Sequence, residues 1–167
     1  MPSSLEDTKF ILKKYNISAS KKLGQNFLVD DSVIESIIES AEVNKKDLII
    51  EIGPGLGTLT SKLLENAGKV IAVELDDRMI SILEERFKLY HNFILLHEDI
   101  LKVNLQELIK QNKENLEKVK IVANLPYYIT TPIIMKLLED RLEIESITVM
   151  VQKEVADRIT AVPGEKS

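Results

Sequence analysis

The chain has 167 residues, 44% hydrophobic and 29% charged, with a net charge of −5 and a mean hydropathy of −0.02. Such a chain can bury the core of one globular domain; no apolar run approaches the ~20 residues of a membrane-spanning helix, and Met1 to Asp7 does not read as a signal peptide. The lack of cysteine excludes disulfides and thiolate metal sites, and fits a reducing compartment.

Ser4-Leu-Glu-Asp7 has the form of a capping box, and Leu5, Phe10, Ile11, Leu12 and Tyr15 follow as an apolar face, so a helix is predicted over about 4–15. Ser18 to Gly24 is small, polar and basic and reads as a loop. Residues 8–29 hold Lys9, Lys13, Lys14, Lys21 and Lys22 and no acid, whereas the remainder is net acidic. Either this is a solvated face or it is a basic arm that meets phosphates. Residues 1–29 are therefore separated, as helix and arm, from a domain over 30–167. Asp30-Asp31 is read as an N-cap for a helix whose apolar stripe is Val33, Ile34, Ile37, Ile38 and Ala41.

Leu48-Ile-Ile50 is a β-branched run expected to be a buried strand. Glu51-Ile-Gly-Pro-Gly-Leu-Gly-Thr58 follows, then Leu59, Leu63 and Leu64 at helical spacing. Strand, glycine turn and helix form a ligand-binding unit, because glycine lets the backbone come close where a Cβ would intrude. The plain alternative is a tight turn with no ligand. Val70 to Leu75 reads as a second strand ending on Glu74, which lies 17 positions after Gly57. At about that distance nucleotide-binding α/β units offer a carboxylate to ribose hydroxyls. Thr58 stands where the dinucleotide fingerprint wants glycine, and Glu51 precedes the turn. A carboxylate there disfavours a pyrophosphate and favours a cationic ligand such as S-adenosyl-L-methionine, unless Glu51 pairs with a basic side chain.

Met79, Ile80, Leu83 and Phe87 mark a helix, and Phe93 to Leu96 a third strand with Glu98-Asp99 at its end. Leu105, Leu108 and Ile109 suggest a short helix, and Gln111 to Lys118 an exposed polar stretch. Val119 to Ala123 reads as a fourth strand and Ser146 to Val151 as a fifth. Between them Thr131-Pro132 is expected to cap and start a helix bearing Ile133, Ile134, Leu137 and Leu138, and a last helix is expected over 153–161. His91 and His97 read as surface or strand-edge residues, not metal ligands. Apolar strands alternating with helices imply a doubly wound parallel sheet, which binds ligands beyond the carboxyl ends of its strands. Gly53, Glu74, Asp99 and Asn124 all fall at such ends; helix capping is the competing role for any one of them.

Asn124-Leu-Pro-Tyr127 carries candidate chemistry. Pro126 fixes its own φ and restricts Leu125, so the Leu125 carbonyl and the Asn124 side-chain carbonyl hold set directions. Two such acceptors can draw a planar exocyclic amine toward tetrahedral geometry and raise electron density on its nitrogen. Tyr127 offers a face on which a flipped base stacks, worth about 1–3 kcal/mol.

With these stretches the chain resembles the ribosomal RNA adenine N6-dimethyltransferase family. The matching segments are Leu23-Gly-Gln-Asn-Phe-Leu28, Glu51 to Gly57, Val73-Glu-Leu-Asp76, Glu98-Asp99, Asn124 to Pro132 and Gln152-Lys-Glu-Val-Ala-Asp-Arg158. The resemblance implies a Rossmann-like fold dependent on S-adenosyl-L-methionine, here with five parallel strands and the family's last two strands and small helical domain absent. It implies that Asn26 and Leu28 close over the cofactor and that Gly53 and Gly55 line its methionine part. Glu74 then takes the ribose hydroxyls and Asp99 the adenine amine. Asn124 lies between methyl donor and target nitrogen, with Leu125, Pro126 and Tyr127 completing the catalytic loop, and Lys21 and Lys22 meet RNA. The form of the motifs is similar to the small-subunit enzymes, which dimethylate two adjacent adenosines in a hairpin near the 3′ end of 16S rRNA during ribosome assembly. Such an enzyme is expected to be cytoplasmic, monomeric and metal-free. The runner-up is a macrolide-resistance methylase of large-subunit rRNA. From other classes come a non-catalytic RNA-binding assembly factor and a dinucleotide-dependent oxidoreductase, the last opposed by Thr58 and the Asn-Leu-Pro-Tyr turn.

Overall fold

The structure, a computed structural model, describes residues 31–125 and 127–150. The expected helix over 4–15, the basic arm with Lys21 and Lys22, Asn26, Leu28, Pro126 and the helix expected over 153–161 lie outside the described residues.

Helix α1 (Asp31–Ser40) leads to strand β1 (Asp47–Ile52), helix α2 (Thr58–Asn66) and strand β2 (Lys69–Glu74). Helix α3 (Asp77–Phe87) and strand β3 (Phe93–His97) follow, then a 3-10 turn at Ile100–Lys102 and helix α4 (Leu105–Asn112). Strand β4 (Lys118–Asn124), helix α5 (Tyr127–Glu139) and strand β5 (Ser146–Met150) complete the described chain. The five strands form one sheet in the order β3-β2-β1-β4-β5, and every pairing is parallel. The doubly wound reading holds. Strand order reverses between β1 and β4, and a crevice opens at such a switch point beyond the carboxyl ends of the strands.

β1 is central and buried along its whole length, which is why Leu48, Ile49 and Ile50 stand as an unbroken apolar run. Successive side chains serve opposite faces. Ile49, Val70 and Val122 pack with Ile34 and Ile37 of α1, Leu59 and Leu63 of α2, and Met79, Ile82, Leu83 and Phe87 of α3. Leu48, Ile50, Ile71 and Ile121 pack on the other face with Ile100, Leu105, and Ile133 and Leu137 of α5. Full burial of each such aliphatic side chain contributes roughly 1.5–3 kcal/mol. Val33 turns outward from the predicted α1 stripe, at 39% exposure.

The start of α5 corrects the expectation that Thr131-Pro132 opens the helix. It begins at Tyr127 and contains Pro132. As the sixth residue of the helix, Pro132 lies beyond the free N-terminal N–H groups and removes one intrahelical hydrogen bond. Burial of Ile133 and Leu137 holds the helix through it. Two smaller differences concern the polar 111–118 stretch: Gln111 and Asn112 end α4, and Lys118 opens β4.

Candidate active site

Gly53, Gly55 and Gly57 all adopt positive φ, at 73°, 59° and 87°. Gly53 lies where β1 gives way to the turn, its N–H bonded to the Val73 carbonyl of β2 at 3.1 Å. A Cβ there would lie 2.7 Å from the Asn124 carbonyl oxygen and 3.1 Å from Leu125 Cδ2. The glycine turn therefore touches the Asn124–Leu125 backbone at the switch point between β1 and β4. At Gly57 a Cβ would meet the Phe87 ring at 2.6 Å, so this glycine lets α2 start against α3. Arg86 lies over the Phe87 ring, 5.0 Å from its centroid, and donates to the Leu56 carbonyl, fixing the far side of the turn.

Glu74 ends β2 with its carboxylate held by three backbone donors. Oε1 accepts from Gly55 N at 3.1 Å, and Oε2 from Leu75 N at 2.9 Å and Asp76 N at 3.0 Å. These bonds tie the acid to the glycine turn on one side and to the β2–α3 loop on the other. Both acceptor sites of Oε2 are taken, and Oε1 keeps one that a ligand hydroxyl can reach. Burial pushes the Glu74 carboxyl above its ordinary value, outweighing the pull of the Asp76, Gly55 and Leu75 amides. Asp76 caps α3 and is held below the usual carboxylate range by its hydrogen bond to the Arg78 side chain.

Glu51 differs from its sequence-based reading. It is wholly buried and, among the described residues, meets no basic side chain: Oε1 accepts from Thr60 Oγ1 of α2 at 2.5 Å, and Oε2 has no hydrogen-bond partner there. Burial, countered in part by Thr60 and reinforced by Glu74, raises its pKa to about 8. The carboxyl is therefore mostly protonated at neutral pH in the ligand-free protein, and the argument from a standing negative charge beside the turn does not hold in that state. What the site presents is a buried acid able to ionise when a cation arrives.

Asp99 follows β3, and its Oδ1 accepts from Leu101 N at 3.0 Å, capping the 3-10 turn. Capping occupies one of its two oxygens. Asn124 is half-buried at the end of β4, Leu125 is buried, and Tyr127 opens α5. Sequence reasoning missed two apolar residues beside these acids: Leu75, 60% exposed, directly follows Glu74, and Leu101, 40% exposed, comes two residues after Asp99. An exposed apolar side chain just after a strand-end acid suits the face of a flat ring, and that adjacency was the available signal. His97 ends β3 as expected, and no cluster of metal-ligating side chains occurs among the described residues.

Residues 16–167 match the ribosomal RNA adenine dimethylase family. The chain belongs to that family. The chain is 54% identical over 158 residues to the ribosomal RNA small subunit methyltransferase A of Clostridium botulinum, spanning 95% of this chain but only 56% of that relative. Among solved structures, a dimethyladenosine transferase from Plasmodium falciparum superposes with a TM-score of 0.65 at 34% identity, covering 83% of this chain and 47% of that one. The 23S rRNA methyltransferase ErmE superposes at 0.66 with 31% identity, covering 84% and 53%. The fold is thus the Rossmann-like α/β fold of S-adenosyl-L-methionine-dependent methyltransferases. This dimethylase-family chain accounts for about half of the length of the relatives it matches.

Proposed function

We propose that this chain carries the cofactor site and catalytic loop of an enzyme that uses S-adenosyl-L-methionine to dimethylate the N6 of two adjacent adenosines near the 3′ end of small-subunit rRNA, a step in ribosome assembly. One observation carries the reading: the Gly53 turn abuts the Asn124 carbonyl, so a ligand over the glycines and a base at the Asn-Leu-Pro-Tyr loop meet at the strand switch point.

The residues present fit the cofactor. Glu74 Oε1 keeps an acceptor site for a ribose hydroxyl, Asp99 keeps an oxygen for an adenine amine, and Gly53 and Gly55 give backbone access. Glu51 is an acid in reserve for positive charge. When bound, the cofactor supplies an electrophilic methyl on a sulfonium. Asn124 and the Leu125 carbonyl accept the two N–H bonds of the adenine amine, which raises density on N6. Tyr127 stacks on the base. No residue here need act as a strong base, because an adenine amine alkylated at N6 would be acidic enough to give its proton to water. Asn26 and Leu28 cover the cofactor, and Lys21 and Lys22 meet RNA phosphates.

Methyl transfer to small-subunit rRNA by Asn124→Ala against wild type tests this. Loss of roughly two orders of magnitude or more in rate at unchanged cofactor affinity is expected for an interaction made to the reacting nitrogen. Full activity would remove the amine-polarising role. Large-subunit rRNA is the second reading, on the ErmE superposition; the 54% identity to a small-subunit enzyme, against 31% to ErmE, favours the first.

A further inference from the structure

We infer that His97 is a positioning residue for the cofactor site, clamping the β2–α3 loop that holds the Glu74 carboxylate. His97 pairs with Glu74 in the β2–β3 register and ends its strand beside it. Its Nε2 lies 3.1 Å from the Leu75 carbonyl oxygen and 2.8 Å from Asp77 Oδ1. Both partners are acceptors, so Nε2 carries the ring hydrogen and donates to them. The peptide units it grips are the ones Glu74 depends on: Leu75 N–H and Asp76 N–H are the two donors to Glu74 Oε2.

The contacts form a continuous relay. His97 on β3 holds the Leu75 carbonyl and the first residue of α3. The amides of that loop hold one Glu74 oxygen, and Gly55 N holds the other. Among the described residues only His97 ties the Leu75 carbonyl to a neighbouring strand, and Leu75 itself is 60% exposed. Without the imidazole, the loop keeps its cap at Asp76 and the 3.1 Å bond from Glu98 N to the Glu74 carbonyl, which steadies Leu75 N–H, but the Leu75–Asp76 peptide loses its hold on β3. Glu74 then keeps its bonds from Gly55 N and Leu75 N, while the Asp76 donor to Oε2 is no longer held in place. A carboxylate that must be ordered by its ligand binds more weakly than one already in place. His97 touches no reacting atom, so its loss should act on ligand recognition.

The inference rests on the reading that Glu74 takes the ribose hydroxyls. The experiment is calorimetry on the 167-residue chain with two probes, S-adenosyl-L-homocysteine and its 2′-deoxy counterpart, for wild type, His97→Ala and His97→Gln. Wild type should prefer the ribose form about tenfold, as expected when removal of one hydroxyl leaves a buried acceptor unpaired. In His97→Ala the ribose form should weaken about fivefold and the deoxy form much less, so the preference shrinks to about twofold. Gln, whose side-chain amide can donate to the Leu75 carbonyl, should restore most of the preference. A His97→Ala preference equal to wild type overturns the clamp, as does an equal loss for both probes or a Gln variant no better than Ala. A wild type that binds both probes alike refutes the ribose role of Glu74 and the clamp with it. That result appears before any substitution is made, so the two failures are told apart.

Discussion

β1 carries two buried acids on one face, four residues apart, and the protein neutralises them in opposite ways. At the amino end, Asp47 meets a cation: Lys120 Nζ of β4 lies 2.9 Å from Oδ2, with both side chains almost fully buried. Lys120 also donates to the Glu42 carbonyl at 2.9 Å, and Asn44 N donates to the same Asp47 oxygen at 2.9 Å. At the carboxyl end, Glu51 has only the Thr60 hydroxyl among the described residues, and burial favours its protonated form. The first arrangement is charge-balanced on Oδ2, although Asp47 Oδ1 has no hydrogen-bond partner among the described residues. The second is open, because a ligand cation can displace the proton. One strand thus carries an ion pair at one end and an unpaired acid at the other, and the partner side chain decides which is which.

The sharpest way to break the contrast is Lys120→Met. Removing one member of a buried pair leaves an uncompensated charge, with an expected loss of about 3–5 kcal/mol in urea unfolding. Replacing Asp47 by Leu in the same chain should recover most of it. A single variant as stable as wild type would show that the pair is not the anchor of that end.

Next comes the pH dependence of the other end. The folded pKa of Glu51, about 8, lies above the ordinary 4.5, so the native state binds the proton more tightly than the unfolded chain does. Stability should therefore be unaffected by this group below about pH 4.5, fall as pH rises from there to about 8, and level off beyond. The fall amounts to about 3 kcal/mol by pH 7, at 1.36 kcal/mol per pH unit. Glu51→Gln, neutral at every pH, should flatten that slope in denaturation curves taken at pH 5 and pH 8. Parallel slopes in the two proteins would mean that Glu51 is already ionised without ligand.

A smaller effect is expected at Glu74, which stands between the two extremes, buried but supplied with backbone donors. Glu74→Ala should weaken S-adenosyl-L-methionine about tenfold to a hundredfold, because ribose hydroxyls lose a buried partner. Isothermal titration reads this directly, and unchanged affinity removes Glu74 from the site. The least change is expected from Lys21→Ala with Lys22→Ala, which should leave β1 stability and cofactor affinity alone. Its effect belongs to RNA: the slope of log K against log salt should fall by the equivalent of up to two phosphate contacts. Equal slopes would make the basic stretch an ordinary solvated segment.

Much of this architecture was legible in the sequence where one residue type permits one local geometry. The run at Leu48–Ile50 has strand character and no amphipathic alternative, and the glycines at 53, 55 and 57 sit at positive φ. The switch-point coincidence of Gly53, Glu74, Asp99 and Asn124 followed from a parallel sheet alone. Partner choice was less legible. Lys120 sits in the polar-apolar stretch Lys118-Val-Lys-Ile121, and nothing local says that it points inward to Asp47 while Lys118 meets exposed Glu145. Thr60, a weak helix former one turn into α2, takes its meaning from Glu51 across the gap between layers. The α5 start was misplaced because a proline signals a helix beginning only as a preference, and tertiary burial of Ile133 and Leu137 overrode it.

The contact between Gly53 and the Asn124 carbonyl also has a consequence for how such a chain can change. Position 53 and the backbone at 124 share one volume, with no room for even a methyl group between them. Any side chain added at 53 must push the Asn-Leu-Pro-Tyr loop, and any shift of that loop opens a gap over the glycines. The two motifs are therefore epistatic: a substitution tolerated in one depends on the exact backbone of the other. Variation in the glycine turn and variation in the loop after β4 cannot be explored separately, and libraries that diversify the two should be built and selected together.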